Sequence, residues 1–243
     1  MNILITNDDG IKAKGINILY ETLKKDFNVF IIAPDGQRSA CSNAITIRSS
    51  LTLKKINSYK YSLSGVPADC VGVGLHSDLL PEIDLVVSGI NHGPNLGDDI
   101  FFSGTVAGAR TAYIFGKSGL AVSLNNFENN SPHLKKAAEF TLDFIINHRK
   151  KILNEQIFFN INYPDLPSNK IKGVKYTSLG KRIYQDFYQR ENLSQKEATF
   201  RLTGEVDSVA LEGSDATELQ NNFISITPLT IDCTDFLYLE NMN

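Results

Sequence analysis

Two adjacent carboxylates, Asp8 and Asp9, follow directly on the apolar run NILIT at residues 2–6. Two acids at the end of a buried strand repel each other and lose solvation, so they call for a counter-charge. Neighbouring side chains point apart, yet both can reach one cation at a strand end. Carboxylates, serine hydroxyls and asparagine carbonyls are hard oxygen donors. No cysteine or histidine cluster accompanies them, so the set suits Mg²⁺, Mn²⁺ or Ca²⁺ rather than zinc or copper. A turn at Asp9-Gly10 explains the glycine but not the pair of acids.

A second chemical signal is Ser103-Gly104-Thr105, at the start of a helical stretch over 105–115. Free backbone N–H groups and the dipole at a helix start favour an anion such as phosphate, and a serine cap uses the same geometry. Acids holding a metal beside such a helix start form the layout of a metal-assisted phosphohydrolase.

These groups need a scaffold. Apolar, β-rich runs occur at 2–6, 27–33, 84–88, 120–124 and 156–162. Between them, 14–26, 105–115 and 132–148 carry apolar residues at helical spacing. Strands alternating with helices predict right-handed crossovers. The expected fold is α/β and Rossmann-like, a three-layer, mostly parallel sheet with helices on both faces. In such a sheet ligands bind beyond the carboxyl ends of the strands. Three strands are followed by polar, glycine-rich loops, NDDG at 7–10, PDGQRS at 34–39 and GINHGPNLGDD at 89–99. The loop at 125–130 is polar but more ordinary.

After Ile171 the pattern changes to short strands at 174–178, 183–188 and 198–202, with a last strand at 223–228 that returns to the sheet. The chain reads as one unit over 1–243. Its core spans about 1–165 and 221–230, and an antiparallel arm or hairpin spans about 166–220. Exposed arm strands invite pairing with another copy.

Composition sets limits. The net charge of −3 gives no support to a nucleic-acid polymer as main partner. No apolar run approaches the roughly 20 residues of a membrane span. The opening MNILITNDDG has no basic start, unlike a secretory leader. Three scattered cysteines, Cys41, Cys70 and Cys233, make no CxxC pair. A reducing cytoplasm is the expected location. Gly116-Lys117-Ser118 lacks the upstream glycine of a phosphate-binding P-loop, and Gly72 and Gly74 lack the third glycine of a dinucleotide site. The glycosylation-like triplets at 129–131 and 192–194 mean little without a leader.

The loops resemble the SurE family of survival proteins, metal-dependent 5′-nucleotidases. The resemblance rests on ILITNDDG at 3–10, APDGQRSACSNAIT at 33–46 and SGINHGPNLGDDIFFSGTVAGAR at 88–110. SGVPADCV at 64–71, GSDATE at 213–218 and SITPL at 225–229 extend it over nearly the whole chain.

It implies hydrolysis of nucleoside 5′-monophosphates, with 3′-monophosphates and short polyphosphate as further substrates and one Mg²⁺ or Mn²⁺ per subunit. It places Asp8, Asp9, Ser39 and Asn95 on the metal. Asn91, Ser103, Gly104 and Thr105 fall at the phosphate, with Asn43 nearby. Asp8 and Asp9 carry catalysis. A water activated at the ion is the expected nucleophile, with attack by Asp8 as the alternative. The family's dimers or tetramers, built through an exchanged C-terminal arm, agree with the pattern change after Ile171.

Two departures stand out. Ala40 replaces the glycine usual after the loop serine, and the aromatic expected soon after Asp215 is missing. His92 lies in the right loop for a general acid or base, but the family motif does not rest on it. The remaining histidines read as structural or surface residues. Asp98 and Asp99 read as loop residues behind the site. Lys181, Arg182 and Arg190 lie in the arm, within reach of a neighbouring subunit's substrate. A non-catalytic nucleotide-binding protein is the rival reading.

Overall fold

The structure is a computed structural model that describes residues 1–128, 130–185, 187–192 and 197–242. Asn129, Leu193 and Ser194, of the two glycosylation-like triplets, lie outside the described residues. The elements in chain order are β1 (Asn2–Thr6), α1 (Lys14–Leu23), β2 (Asn28–Pro34), β3 (Leu53–Lys55), β4 (Lys60–Leu63) and α2 (Pro67–His76). Next come β5 (Leu85–His92), α3 (Gly104–Ile114), β6 (Ser118–Leu124), α4 (Leu134–Asn147), α5 (Arg149–Asn154) and β7 (Phe158–Tyr163). The remainder is β8 (Val174–Tyr176), β9 (Arg182–Tyr184), β10 (Phe187–Asn192), β11 (Ala198–Thr203), β12 (Val206–Ser208), α6 (Asp215–Gln220), β13 (Ile224–Pro228) and α7 (Phe236–Glu240).

Nine strands form one sheet in the order β3-β4-β2-β1-β5-β6-β7-β13-β8. The run from β4 to β7 is parallel throughout, while β3 and β13 pair antiparallel with β4 and β7. The chain winds outward from β1 through β2 to β4, then crosses back to β5, β6 and β7. The order therefore reverses at the β1–β5 pair, where the crossovers diverge and leave a crevice.

The central strands are apolar on both sides because helices cover both faces. Ile3, Ile5, Ile31, Val87 and Val122 meet the α1 and α4 side. Leu4, Ile32, Cys70, Val71 and Val86 fill the α2 side. Val106 and Ala109 of α3 pack with Ala121 and Phe158. Helix α1 lies on α4, and α2 on α3. This is the three-layer α/β fold expected from the sequence.

The later part differs in detail. The strand expected over 183–188 is two strands, β9 and β10, in separate two-stranded ribbons, β12-β9 and β10-β11. β8 joins the edge of the main sheet, parallel to β13. The edge strand β3 and its neighbour β4 carry no strong sequence signal. Among the described residues, no helix is long and apolar enough to cross a membrane.

Candidate active site at the carboxyl ends of the strands

The NDDG turn is closed by Asn7. Its side chain donates to Gly10 O and accepts from Gly10 N, both at 3.1 Å. Gly10, at φ +93°, brings the turn against the backbone of Gly36 in the next loop, 3.0 Å from where a Cβ would sit. Only glycine takes that backbone without strain. Arg38 N donates to Asp8 O at 2.6 Å and locks the two loops together. Asp8 is left with its side chain turned toward α3.

Asp8 is 4% exposed. Thr105 Oγ1 donates to Asp8 Oδ1 at 2.5 Å. Gly104 lies so close that a Cβ would sit 2.8 Å from Asp8 Cβ and 2.7 Å from Cys41 Sγ. The first turn of α3 thus packs directly on the carboxylate, which explains why the helix starts with glycine. Ser103 caps it, its Oγ accepting from Val106 N at 3.1 Å.

Burial pushes Asp8 up to about 6, with the neighbouring Asp9 charge adding and the Thr105 bond opposing. Burial likewise pushes Asp9 up to about 6, against a hydrogen bond from His92 N. His92 does not neutralise the pair. Its Nε2 is 3.8 Å from Asp9 Oδ2, beyond hydrogen-bond range, and burial holds the imidazole below its ordinary value. Both ring nitrogens are buried without a partner. Among the described residues no lysine or arginine pairs with Asp8 or Asp9.

Asn95 is buried and firmly seated. Its backbone N donates to Asn162 Oδ1 at 2.8 Å, and its carbonyl accepts from Asn160 and Asn162. Its side-chain Nδ2 donates to Ser123 Oγ at 2.9 Å, leaving the amide oxygen as the free end. Sequence reading passed over Asn160 and Asn162. Their signal is two amides at i and i+2 of an otherwise apolar strand, on one buried face.

A cleft of about 1110 Å³ gathers Asp8, Ser39, Asn91, Asn95 and Ser103. A side pocket of about 380 Å³ is lined by Asp9, Gln37, Ser39, His92 and Phe127. Ser39 borders both and accepts from Gln37 Nε2 at 2.9 Å. Asn91 donates to Gly93 O at 2.8 Å. Asn43 is half-buried away from both spaces, its Oδ1 buried without a partner. Thr105 is fully buried behind Asp8, so its hydroxyl serves the carboxylate. Gly104 brings its backbone to Asp8 rather than a side chain.

Ala40 has φ +54°, the left-handed region that suits glycine. The loop keeps that conformation with alanine in place, at about 1 kcal/mol of strain. Asp215 is buried, and its carboxylate accepts from Gly97 N at 2.9 Å and Gly180 N at 2.8 Å. It fastens the Asn95 loop to the start of the arm, while burial holds its carboxyl above the usual range.

Two of the arm cations meet acids of this same chain. Lys181 Nζ is 3.0 Å from Asp98 Oδ2, and Arg182 Nε is 3.1 Å from Asp99 Oδ2. Arg182 Nε is not aimed for a directed hydrogen bond, so the contact is one of charge. Both cations are engaged by this chain's own loop.

Among the described residues, no three of His, Cys, Asp and Glu gather as a metal cluster. The donor set across the cleft and its side pocket instead holds Asp8 in one, Asp9 in the other, and neutral oxygens beside them. It fits a hard divalent cation, because adjacent, poorly solvated acids without a counter-ion are what such an ion stabilises.

A doubly wound α/β sheet with an acidic site at its topological switch point defines the class of protein. The survival protein SurE family model matches residues 3–186. The chain belongs to the SurE family. It is 42% identical over 244 residues to the 5′-nucleotidase SurE of Leptospira interrogans, covering 100% of this chain and 97% of the relative. It is 38% identical to the 5′-nucleotidase SurE of Clostridium botulinum, covering 99% and 97%. A crystal structure of the SurE protein from Aquifex aeolicus superimposes with a TM-score of 0.86 at 34% identity, covering 100% of this chain and 98% of that one.

Proposed function

We propose that this chain is a metal-dependent phosphomonoesterase that hydrolyses nucleoside 5′-monophosphates to nucleoside and phosphate. One observation carries the reading, namely a buried Asp8 and a half-buried Asp9 without a lysine or arginine partner, beside a capped helix N-terminus. The full-length relatives named 5′-nucleotidase support the substrate class.

Asp8, Asp9, Ser39 and Asn95 hold one Mg²⁺ or Mn²⁺. Such an ion supplies positive charge to the phosphoryl oxygens and lowers the pKa of a water. Thr105 fixes the Asp8 carboxylate in place. Ser103 and the free N–H groups at the start of α3 face the phosphoryl charge as it develops. Asn91 lines the same cleft. Nucleoside 3′-monophosphates and short polyphosphate are further substrates. The ribbons of the arm pair copies into a dimer or tetramer, and the protein works in the cytoplasm.

A non-catalytic nucleotide sensor is the weaker reading, because a dead enzyme has no need to keep two uncompensated acids. The test is phosphate release from a panel of nucleoside 5′- and 3′-monophosphates, with EDTA, Mg²⁺ or Mn²⁺. Metal-dependent release that falls about 10²–10⁴-fold in Asp8→Asn is the expected result. No release from the folded wild type with either metal would sink the proposal.

A further inference from the structure

The loop that follows β6 carries Phe127, which borders both the cleft and the side pocket with Asp9, Ser39 and His92. Its ring is 79% exposed. What sets this ring apart is its place, beside Asp9, Ser39 and His92 at the mouth of the site.

The ring is accommodated, not adrift. It lies over Gly93, where a Cβ would come within 2.5 Å of Phe127 Cε1. The loop behind it is tied down by one carboxylate. Asn126 Nδ2 donates to Asp165 Oδ2, and Ser131 Oγ donates to Asp165 Oδ1. His133 Nδ1 joins at 2.8 Å from Oδ1. Asn126 O also accepts from Gly93 N at 2.8 Å. The anchors flank Phe127 on both sides, so the backbone is held while the ring stays free.

Other aromatics of the cleft are less available. Tyr184 donates to Asp99 Oδ1 at 2.7 Å and meets Phe102 edge-on, centroids 6.5 Å apart. Tyr188 borders the main cleft but not the side pocket that holds Asp9. Phe127 alone among these rings reaches both spaces.

We propose that Phe127 is the platform on which the planar base of a nucleotide substrate stacks, and that Asp165 is the positioning residue that holds its loop. The proposal rests on the nucleotidase reading and extends it to the organic half of the substrate. Stacking on an aromatic is tolerant of base identity, because every base offers a π-face. The residue therefore separates nucleotides from aliphatic phosphate esters rather than one base from another.

The experiment compares wild type, Phe127→Ala, Phe127→Trp, Asp165→Asn and the Phe127→Ala/Asp165→Asn pair. Each is assayed on nucleoside 5′-monophosphates and on glycerol phosphate. Phe127→Ala is expected to raise KM for the nucleotides about tenfold, with a smaller effect on kcat. KM for glycerol phosphate changes less than twofold, and Phe127→Trp restores nucleotide KM. Asp165→Asn raises nucleotide KM in the same direction, and adds nothing once Phe127 is alanine. Unchanged nucleotide KM in Phe127→Ala would overturn the stacking role, as would an equal rise for glycerol phosphate. An added effect in the double variant would overturn the positioning role of Asp165. If the wild type itself releases no phosphate from nucleotides, the nucleotidase reading fails and takes this proposal with it, a result visible before any variant is made.

Discussion

The chain contains two pairs of adjacent aspartates at the same edge of the sheet, and they have opposite surroundings. Asp8 and Asp9 follow β1 in a crevice with no lysine or arginine partner, and loss of solvation raises both to about 6. Asp98 and Asp99 lie in the loop after β5 and meet Lys181, Arg182 and Tyr184 of the arm. The Lys181 bond holds Asp98 below the usual carboxylate range. Identical dipeptides thus do different work. The compensated pair fastens the arm to the core. The uncompensated pair carries an electrostatic deficit, which is the feature the proposed metal site rests on.

The contrast can be broken in three ways. The largest effect is metal binding. Mn²⁺ at about 100 times its Kd is expected to stabilise wild type by about 2.7 kcal/mol. Asp98→Asn responds alike, whereas Asp8→Asn does not respond. Thermal unfolding with and without the ion measures this. An equal response from Asp8→Asn would place the ion elsewhere.

Next comes stability in a chelator. In the folded, metal-free chain the first pair keeps its protons to about pH 6, whereas the unfolded chain releases them near the ordinary value of 3.8. Their stabilising contribution is complete below that ordinary value and is lost as pH rises through about 6. Asp8→Asn is therefore expected to stabilise the metal-free protein at pH 8 by about 2 kcal/mol, an effect that fades toward pH 4. Asp99→Ala should do the reverse, losing about 2 kcal/mol by stranding the poorly exposed Arg182 and the Tyr184 hydroxyl. Denaturant unfolding at the two pH values checks both signs. A stabilising Asp99→Ala would erase the distinction between the pairs.

The smallest effect belongs to Lys181, whose side chain is 65% exposed. Lys181→Ala is expected to lower stability by less than about 1 kcal/mol, and less again at high salt. A larger loss in the same unfolding assay would mean that the arm depends on that one bridge.

Much of this was legible in the chain. The alternation of strands and helices, the three polar loops and the NDDG acids all rest on local patterns, and the structure brings those loops to one edge. Asn95 was legible as a candidate, and it lines the cleft, but its support from Asn160, Asn162 and Ser123 was not, because those residues are 28 to 67 positions away. Phe127 looked ordinary because an exposed phenylalanine in a polar loop has no local signature. The stretch at 183–188 read as one strand because it is rich in β-favouring residues, whereas β9 pairs with β12 and β10 with β11.

Local chemistry along the chain determined which segments become strands, which loops carry oxygen donors and that two acid pairs exist. Hydrophobic periodicity and turn residues act over a few positions, so a linear reading captures them. Only the tertiary structure decided which acid pair meets lysine and arginine, that Thr105 turns its hydroxyl to Asp8, and that Phe127 lines the same pocket as Asp9. Those outcomes depend on groups tens of residues apart meeting within a few ångströms. Burial and Coulomb energy are set by that meeting, not by the order of residues along the chain.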